Sequence, residues 1–262
     1  MSKIGFIGTG SMGSALARAA AKGGWDEILL ANRTRAKAEA LASEIGGTVT
    51  DNIEAARRAD CLMLGVEPAE IAEVIAQLRS ALDERESKPL VVSMAAGVEL
   101  SALRSYLGEE LPALRIMPNI PAAVGAGVIL WCAAGNVTDA RKEEFLRGMA
   151  AAGTFVEMEE SRMKAATGVT GCGPAFAAMF AEALADGAVA CGVPRAEAKK
   201  LAALTMLGSA KMLLDADMDP AELKDLVCSP GGSTIRGVRA LEQGGMRAAV
   251  IDAVITTFEK KW

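Results

Sequence analysis

A chain of 262 residues that is 51% apolar, with only 4% aromatic residues, carries enough core-forming side chains for one large domain or two modest ones. Its formal net charge of -5, with basic residues scattered among acidic ones and no Lys/Arg block interleaved with aromatics, speaks against a nucleic-acid partner. Histidine is absent, so any acid–base or metal chemistry must proceed without the residue that most often performs it near neutral pH.

The start, "MSKIGFIGTG", runs straight into a strand-like segment and lacks the longer apolar stretch and cleavage site of a signal peptide. Apolar runs then alternate with helix-period segments: "KIGFIG", a helix to about Lys22, "EILLAN", a helix from Arg35 to Glu44, "DCLMLGV", a helix from Ala69, "PLVVSM", "LRIMPN" and "GVILWCA". Runs apolar on both faces, separated in this way, predict parallel strands in a doubly wound sheet. The longest uncharged span, Ile116 to Thr138, is interrupted by Pro118, Asn119 and Pro121, which suits strand, turn and strand better than a membrane helix. No membrane span is expected.

From about Glu159 the pattern changes to Ala-rich helical segments, broken at Gly192-Val193-Pro194, Asp219-Pro220, Ser229-Pro230 and Gly244-Gly245. The fold class expected is α/β: a Rossmann-type doubly wound domain over residues 1–158, then an all-α domain over 159–262. The segment Gly173 to Gly192 is apolar almost all round, broken only by Glu182 and Asp186, and needs cover on every side. A subunit interface and a core helix within one subunit both satisfy that need. Cys61, Cys132, Cys172, Cys191 and Cys228 are odd in number and form no C-x-x-C pair, which suggests neither disulfides nor a metal site but reduced thiols in a cytoplasmic protein.

Two stretches carry chemistry. Gly8-Thr9-Gly10-Ser11-Met12-Gly13 follows the first strand and opens a helix, the context a dinucleotide fingerprint requires. The first glycine makes the turn, the second admits the pyrophosphate, and the third lets helix and strand approach. The second strand ends at Asn32-Arg33-Thr34-Arg35, where an NAD site would place an acid for the ribose hydroxyls. No carboxylate stands there, and Arg33, Arg35 and Lys37 cluster where a 2′-phosphate would sit, so NADPH is favoured and NADH is the less favoured cofactor. The alternative is a solvated helix start. The second stretch, "VCSPGGSTIRG", stops the helices for Ser229-Pro230-Gly231-Gly232-Ser233-Thr234. Adjacent glycines let backbone N–H groups converge on an anion, and Ser233 or Thr234 can cap the following helix. An ordinary helix-to-helix turn is the competing explanation.

The chain resembles the pyrroline-5-carboxylate reductase family essentially end to end, through "FIGTGSMG", "RIMPNIPAAVGAG", "TGCGPAFAAMFAEALADGAVACGVPR" and "SPGGSTIRGVRALEQGG". The resemblance implies reduction of a cyclic imine carboxylate to L-proline with NADPH, a helical dimerisation domain, and a homodimer that often assembles as five dimers. It implies an active site where the nicotinamide meets the Ser229–Thr234 loop at the dimer interface. Residue by residue, it implies cofactor contacts at Gly8, Gly10, Ser11, Met12, Gly13, Asn32, Arg33, Thr34 and Asn52. Val66, Pro68, Ala95, Gly97, Met117 and Asn119 match its nicotinamide half, with Asn119 also a substrate residue. Gly231, Gly232, Ser233 and Thr234 match the substrate-carboxylate loop, with Thr234 at the position that reaches the imine nitrogen.

Four positions depart from the family's usual residues. Cys172 stands for a Ser, Glu67 for a Lys, Ile120 for a Thr and Lys164 for an Asp. A β-hydroxyacid dehydrogenase would also join such a start to a helical domain and use a lysine near Lys164, but Gly168 stands where it would need an Asn. A non-catalytic NADPH-binding regulator is the reading from outside enzymology. The intact "SPGGST" opposes both.

Overall fold

In the computed structural model, which describes residues 2–259, short Leu-, Ile- and Val-rich runs form strands and Ala-rich stretches form helices, as their periods require. In chain order the first part contains β1 (Lys3–Ile7), α1 (Ser11–Ala20), β2 (Glu27–Ala31), α2 (Arg35–Ile45), β3 (Thr48–Val49), α3 (Asn52–Arg58) and β4 (Cys61–Leu64). A 3-10 turn, Pro68–Glu70, leads into α4 (Ile71–Asp83), followed by β5 (Leu90–Ser93), α5 (Leu100–Leu107) and β6 (Ala113–Met117). A second 3-10 turn, Ile120–Val124, precedes β7 (Gly127–Ala133), α6 (Asp139–Met149), β8 (Gly153–Glu157) and α7 (Glu160–Thr170).

The eight strands form one sheet in the order β3-β2-β1-β4-β5-β6-β7-β8. The chain winds outward from β1 to β3, then returns to the other side of β1 with β4, which makes the sheet doubly wound. The expectation of parallel strands needs one correction, because β6 and β7 pair antiparallel. Residues 118–126 hold only a 3-10 turn, and a parallel return would need a crossover helix. The edge strands β3 and β8 were not among the expected runs: β3 has two residues, and β8 is exposed along most of its length. The central strands are buried on both faces, with Ile4, Phe6, Leu62, Leu64, Val91 and Val92 at 0% exposure. Phe145 of α6 meets Phe155 of β8 edge to face, centroids 5.8 Å apart.

Helix α7 packs with this sheet. Glu160 Oε1 accepts from Arg115 Nη1 at 2.7 Å and from the Leu100 N–H at 2.6 Å, and Met163 is fully buried. The first compact unit accordingly runs to Gly171, and a second begins at Cys172.

The second unit contains α8 (Gly173–Ala190), α9 (Arg195–Asp215), α10 (Pro220–Val227), α11 (Ser233–Gln243) and α12 (Met246–Glu259). The breaks fall where glycine and proline place them. Asp219, with Pro220 at the first helical position and Glu222 reaching back, forms a capping box on α10. The unit has almost no core of its own. Among its described apolar residues only Ala185, Ala198 and Ala202 are buried, while Met179, Leu184, Leu201, Leu204, Leu207 and Ile251 are exposed. Among the described residues, one helical stretch, Glu160–Ala190, is long and apolar enough to cross a membrane by length and composition, with 11% of its most apolar window buried.

Candidate active site

The glycine-rich loop is tied down by backbone and amide contacts. Gly8 N donates to Ala31 O at 2.9 Å, and Thr9 N donates to Asn32 Oδ1 at 3.0 Å. Asn32 Nδ2 in turn donates to Thr34 O at 3.0 Å, so this one amide clamps the loop after β1 to the end of β2. Gly8 has φ +96, and a Cβ there would lie 2.4 Å from Gly65 O. A Cβ on Gly13 would lie 2.2 Å from Gly8 O, whereas one on Gly10 would meet nothing within 4 Å. Gly8 and Gly13 are therefore required by the protein's own packing, and Gly10 keeps space open for something else. Gly10 also serves as N-cap of α1 without a side-chain acceptor, which leaves the first-turn N–H groups, including those of Ser11 and Met12, pointing at that space. The Thr9 hydroxyl is buried without a partner among the described residues.

Beside this loop lies a cleft of about 830 Å³, lined by Gly8, Gly10, Asn32, Arg33, Thr34, Asn52 and Val66 of the expected residues. It lies at the carboxyl ends of β1, β2 and β4, where the strand order reverses, the usual ligand position in such sheets. Sequence reasoning missed other lining residues: Asp51, whose carboxylate caps α3 by accepting from Glu54 N at 2.8 Å, together with Ile53, Glu70, Glu73 and Gln77.

The basic cluster is present, since Arg33, Arg35 and Lys37 all line the cleft. The end of β2 carries no carboxylate of its own, but two approach the cluster from elsewhere in the fold. Arg33 Nη1 meets Glu70 Oε1 at 2.8 Å, and Arg35 Nε meets Glu39 Oε1 at 2.9 Å. Glu70 comes from the turn after β4, so spacing along β2 gave no sign of it. Even so, the open space at Gly10, the uncapped N-terminus of α1 and the three cations fit a phosphorylated dinucleotide.

The remaining residues of the first unit lie at the ends of neighbouring strands. Pro68 opens the 3-10 turn after β4, and Ala95 follows β5, buried, with its N–H 3.3 Å from Ser93 Oγ. Gly97 has φ +77 with open space around it, and Met117 ends β6, half-buried. Asn119 is buried and engaged on both sides: Oδ1 accepts from Val128 N at 2.9 Å, and Nδ2 donates to Thr170 O at 2.8 Å. It ties the end of β6 to β7 and α7, with one amide hydrogen to spare.

Gly231, Gly232, Ser233 and Thr234 belong to the second unit, the two glycines between α10 and α11 and the two hydroxyl residues in the first turn of α11. Gly231 has φ +68, and Gly232 N donates to Ser229 O at 3.0 Å, closing the turn. The suggestion that Ser233 or Thr234 caps the helix is corrected, because both lie inside α11 and the N-cap is Gly232, which has no side chain to offer. The first-turn N–H groups of α11 are thus left without a side-chain acceptor, and the exposed Thr234 hydroxyl stands beside them.

None of the five cysteines is in a disulfide. Burial raises the thiol pKa of Cys61 strongly and that of Cys132 to about 11, which makes both poor nucleophiles. Among the described residues no group of three or more His, Cys, Asp or Glu side chains could hold a metal ion.

Fold and cleft together define a protein of the dinucleotide-binding class, and comparison with known proteins narrows it to an oxidoreductase. Residues 3–97 match the family described as "NADP oxidoreductase coenzyme F420-dependent", and residues 160–261 match "Pyrroline-5-carboxylate reductase dimerisation". A pyrroline-5-carboxylate reductase of Methanosarcina acetivorans is 42% identical over 98% of this chain and 96% of its own. The solved pyrroline-5-carboxylate reductase of Coxiella burnetii superposes with TM-score 0.89 at 31% identity, covering 98% of this chain and 96% of that one. The pyrroline carboxylate reductase of Plasmodium falciparum, solved with NADP bound, gives TM-score 0.85 at 31% identity with the same coverage. The chain belongs to the pyrroline-5-carboxylate reductase family.

The separate duties of the glycines give a direct test. Gly10→Ala, at φ -67 and in open space, should leave the melting temperature of the cofactor-free protein unchanged yet abolish the thermal stabilisation that NADPH confers. Gly13→Ala should lower the melting temperature of the cofactor-free protein itself, because its Cβ meets a backbone carbonyl.

Proposed function

We propose that this chain reduces 1-pyrroline-5-carboxylate to L-proline with hydride from NADPH. The observation that carries this reading is the uncapped start of α11 behind Gly231 and Gly232, an anion receptor without a titrating group, in a chain that also holds a dinucleotide cleft. NADPH, when bound, supplies the hydride. Gly8, Gly10, Ser11, Met12 and Gly13 would hold its pyrophosphate; Asn32, Arg33, Thr34 and Asn52 would hold the adenosine and its 2′-phosphate. Val66, Pro68, Ala95, Gly97 and Met117 would border the nicotinamide, and Asn119 would hold the end of β6 in place. In functional terms residues 1–158 form the dinucleotide domain, and 159–262 the dimerisation and substrate domain.

The chemistry suits a protein without histidine. A cyclic imine is basic enough to take its proton from water, and the iminium accepts hydride at carbon while the nitrogen keeps the proton, giving proline. The chain has to bind the carboxylate, orient the ring and exclude water. The backbone at Gly231, Gly232 and Ser233 would receive the carboxylate, and the Thr234 hydroxyl would hydrogen-bond the ring nitrogen. Neither step calls for a strong acid.

The exposed apolar faces of α8, α9 and α12 support a homodimer; a cytoplasmic location and assembly of five dimers are carried over from the family resemblance. Covering those faces with a second copy accounts for the apolar Glu160–Ala190 stretch without a membrane. No nucleic-acid partner is proposed.

Two outcomes check this reading. Thr234→Ala should lower the rate about 10- to 100-fold, the loss of one hydrogen bond to a charged group, while leaving the shape of the pH profile intact. Ser233→Ala and Gly232→Ala should instead raise KM. Steady-state kinetics across pH separates these, and complete inactivity of a folded Thr234→Ala protein would show that water does not supply the proton. Light scattering of the wild type should give at least twice the 27.1 kDa chain mass, and Phe180→Asp should break assembly or folding.

A further inference from the structure

The cleft carries a charge arrangement that the cofactor reading alone does not account for. Three cations line it, Arg33, Arg35 and Lys37, against four carboxylates, Asp51, Glu67, Glu70 and Glu73. NADPH is the more highly charged of the two nicotinamide cofactors, by its 2′-phosphate. A cleft built only to favour that phosphate would not place Glu70 2.8 Å from the arginine that has to bind it.

We propose that Glu70 is a selectivity residue, which narrows this chain's preference for NADPH over NADH by competing with the 2′-phosphate for Arg33. The inference rests on the reading of the cleft as an NADPH site. Arg33 follows β2 and Glu70 ends the turn after β4, so their ion pair joins elements on either side of the loop after β1. The two partners are unequal. The Arg33 side chain is 89% exposed, whereas that of Glu70 is 37% exposed and rides on a turn closed by Glu70 N donating to Glu67 O at 2.9 Å. Arg33 is therefore the partner that moves.

An exposed ion pair of this kind is weak, and a phosphate offering charge-assisted bonds displaces it. The displaced carboxylate then remains in the cleft beside the phosphate, with Glu67 and Glu73 on the same segment adding like charge. NADH leaves the pair whole and meets neither cost. Arg35 is itself paired, with Glu39 one helical turn along, and so meets a competitor of the same kind. Glu70 thus acts against NADPH twice, as a competitor for Arg33 and as a like charge, and the first effect requires Arg33 to be present.

Calorimetric titration of the full-length protein with NADPH and with NADH, without substrate, tests this. Glu70→Gln should tighten NADPH about two- to ten-fold at low salt and change NADH less than about two-fold, and the gain should shrink as salt is added. Arg33→Ala should weaken NADPH about 10- to 100-fold. In the Arg33→Ala background, Glu70→Gln should lose most of its gain. Unchanged or weaker NADPH binding in Glu70→Gln overturns the proposal, and so does a gain that survives whole without Arg33. If Arg33→Ala fails to weaken NADPH, or the wild type does not bind it, the cofactor reading falls and this proposal with it.

Discussion

The backbone at Gly8 lies so close to those at Gly13 and Gly65 that no Cβ fits at any of the three, and the ligand-binding end of the sheet depends on that approach. It brings the start of α1 down onto the ends of β1 and β4, which aims the helix's uncapped N–H groups across the cleft and leaves the space at Gly10 open. The Asn32 amide then couples the loop to the residues after β2, so the phosphate and adenosine contacts proposed for them would share one tied piece of backbone. A dinucleotide entering here meets donors already in place, and little ordering is left to offset on binding.

The two units solve the burial problem in opposite ways. The first buries its central strands completely, under helices that include α7, held by Glu160 against the buried Arg115. The second exposes more large apolar side chains than it buries, so its helices are stable only with further cover. A dimerisation match over residues 160–261 fits that physical requirement. The same arrangement explains why a helix apolar on every side occurs in a chain whose first half is an ordinary α/β unit.

Much of this was legible because it is local. The glycine spacing, the apolar runs and the proline and glycine breaks each act over a few residues, and they located β1, β4, β5, α8 and the start of α10 and α11. What escaped is what depends on the third dimension. Strand direction leaves no trace in an apolar run, so nothing along β7 marks it as antiparallel to β6. The two residues of β3 are too few for any period. Glu70 lies far from Arg33 in sequence, and only the folding of the β4 turn toward β2 pairs them. Ser233 and Thr234 have the chemistry of caps, yet the chain enters α11 one residue earlier, at Gly232, and so keeps the helix start open.

Hydride transfer from a nicotinamide to the carbon of a cyclic imine leaves an isotopic trace in the product. The most direct measurement uses NADPH carrying deuterium at the transferring position, with 1-pyrroline-5-carboxylate, in ordinary water. Mass spectrometry of the product should show proline with one deuterium on the former imine carbon, and none on nitrogen after exchange. Proline without deuterium, or consumption of NADPH without proline, would contradict it.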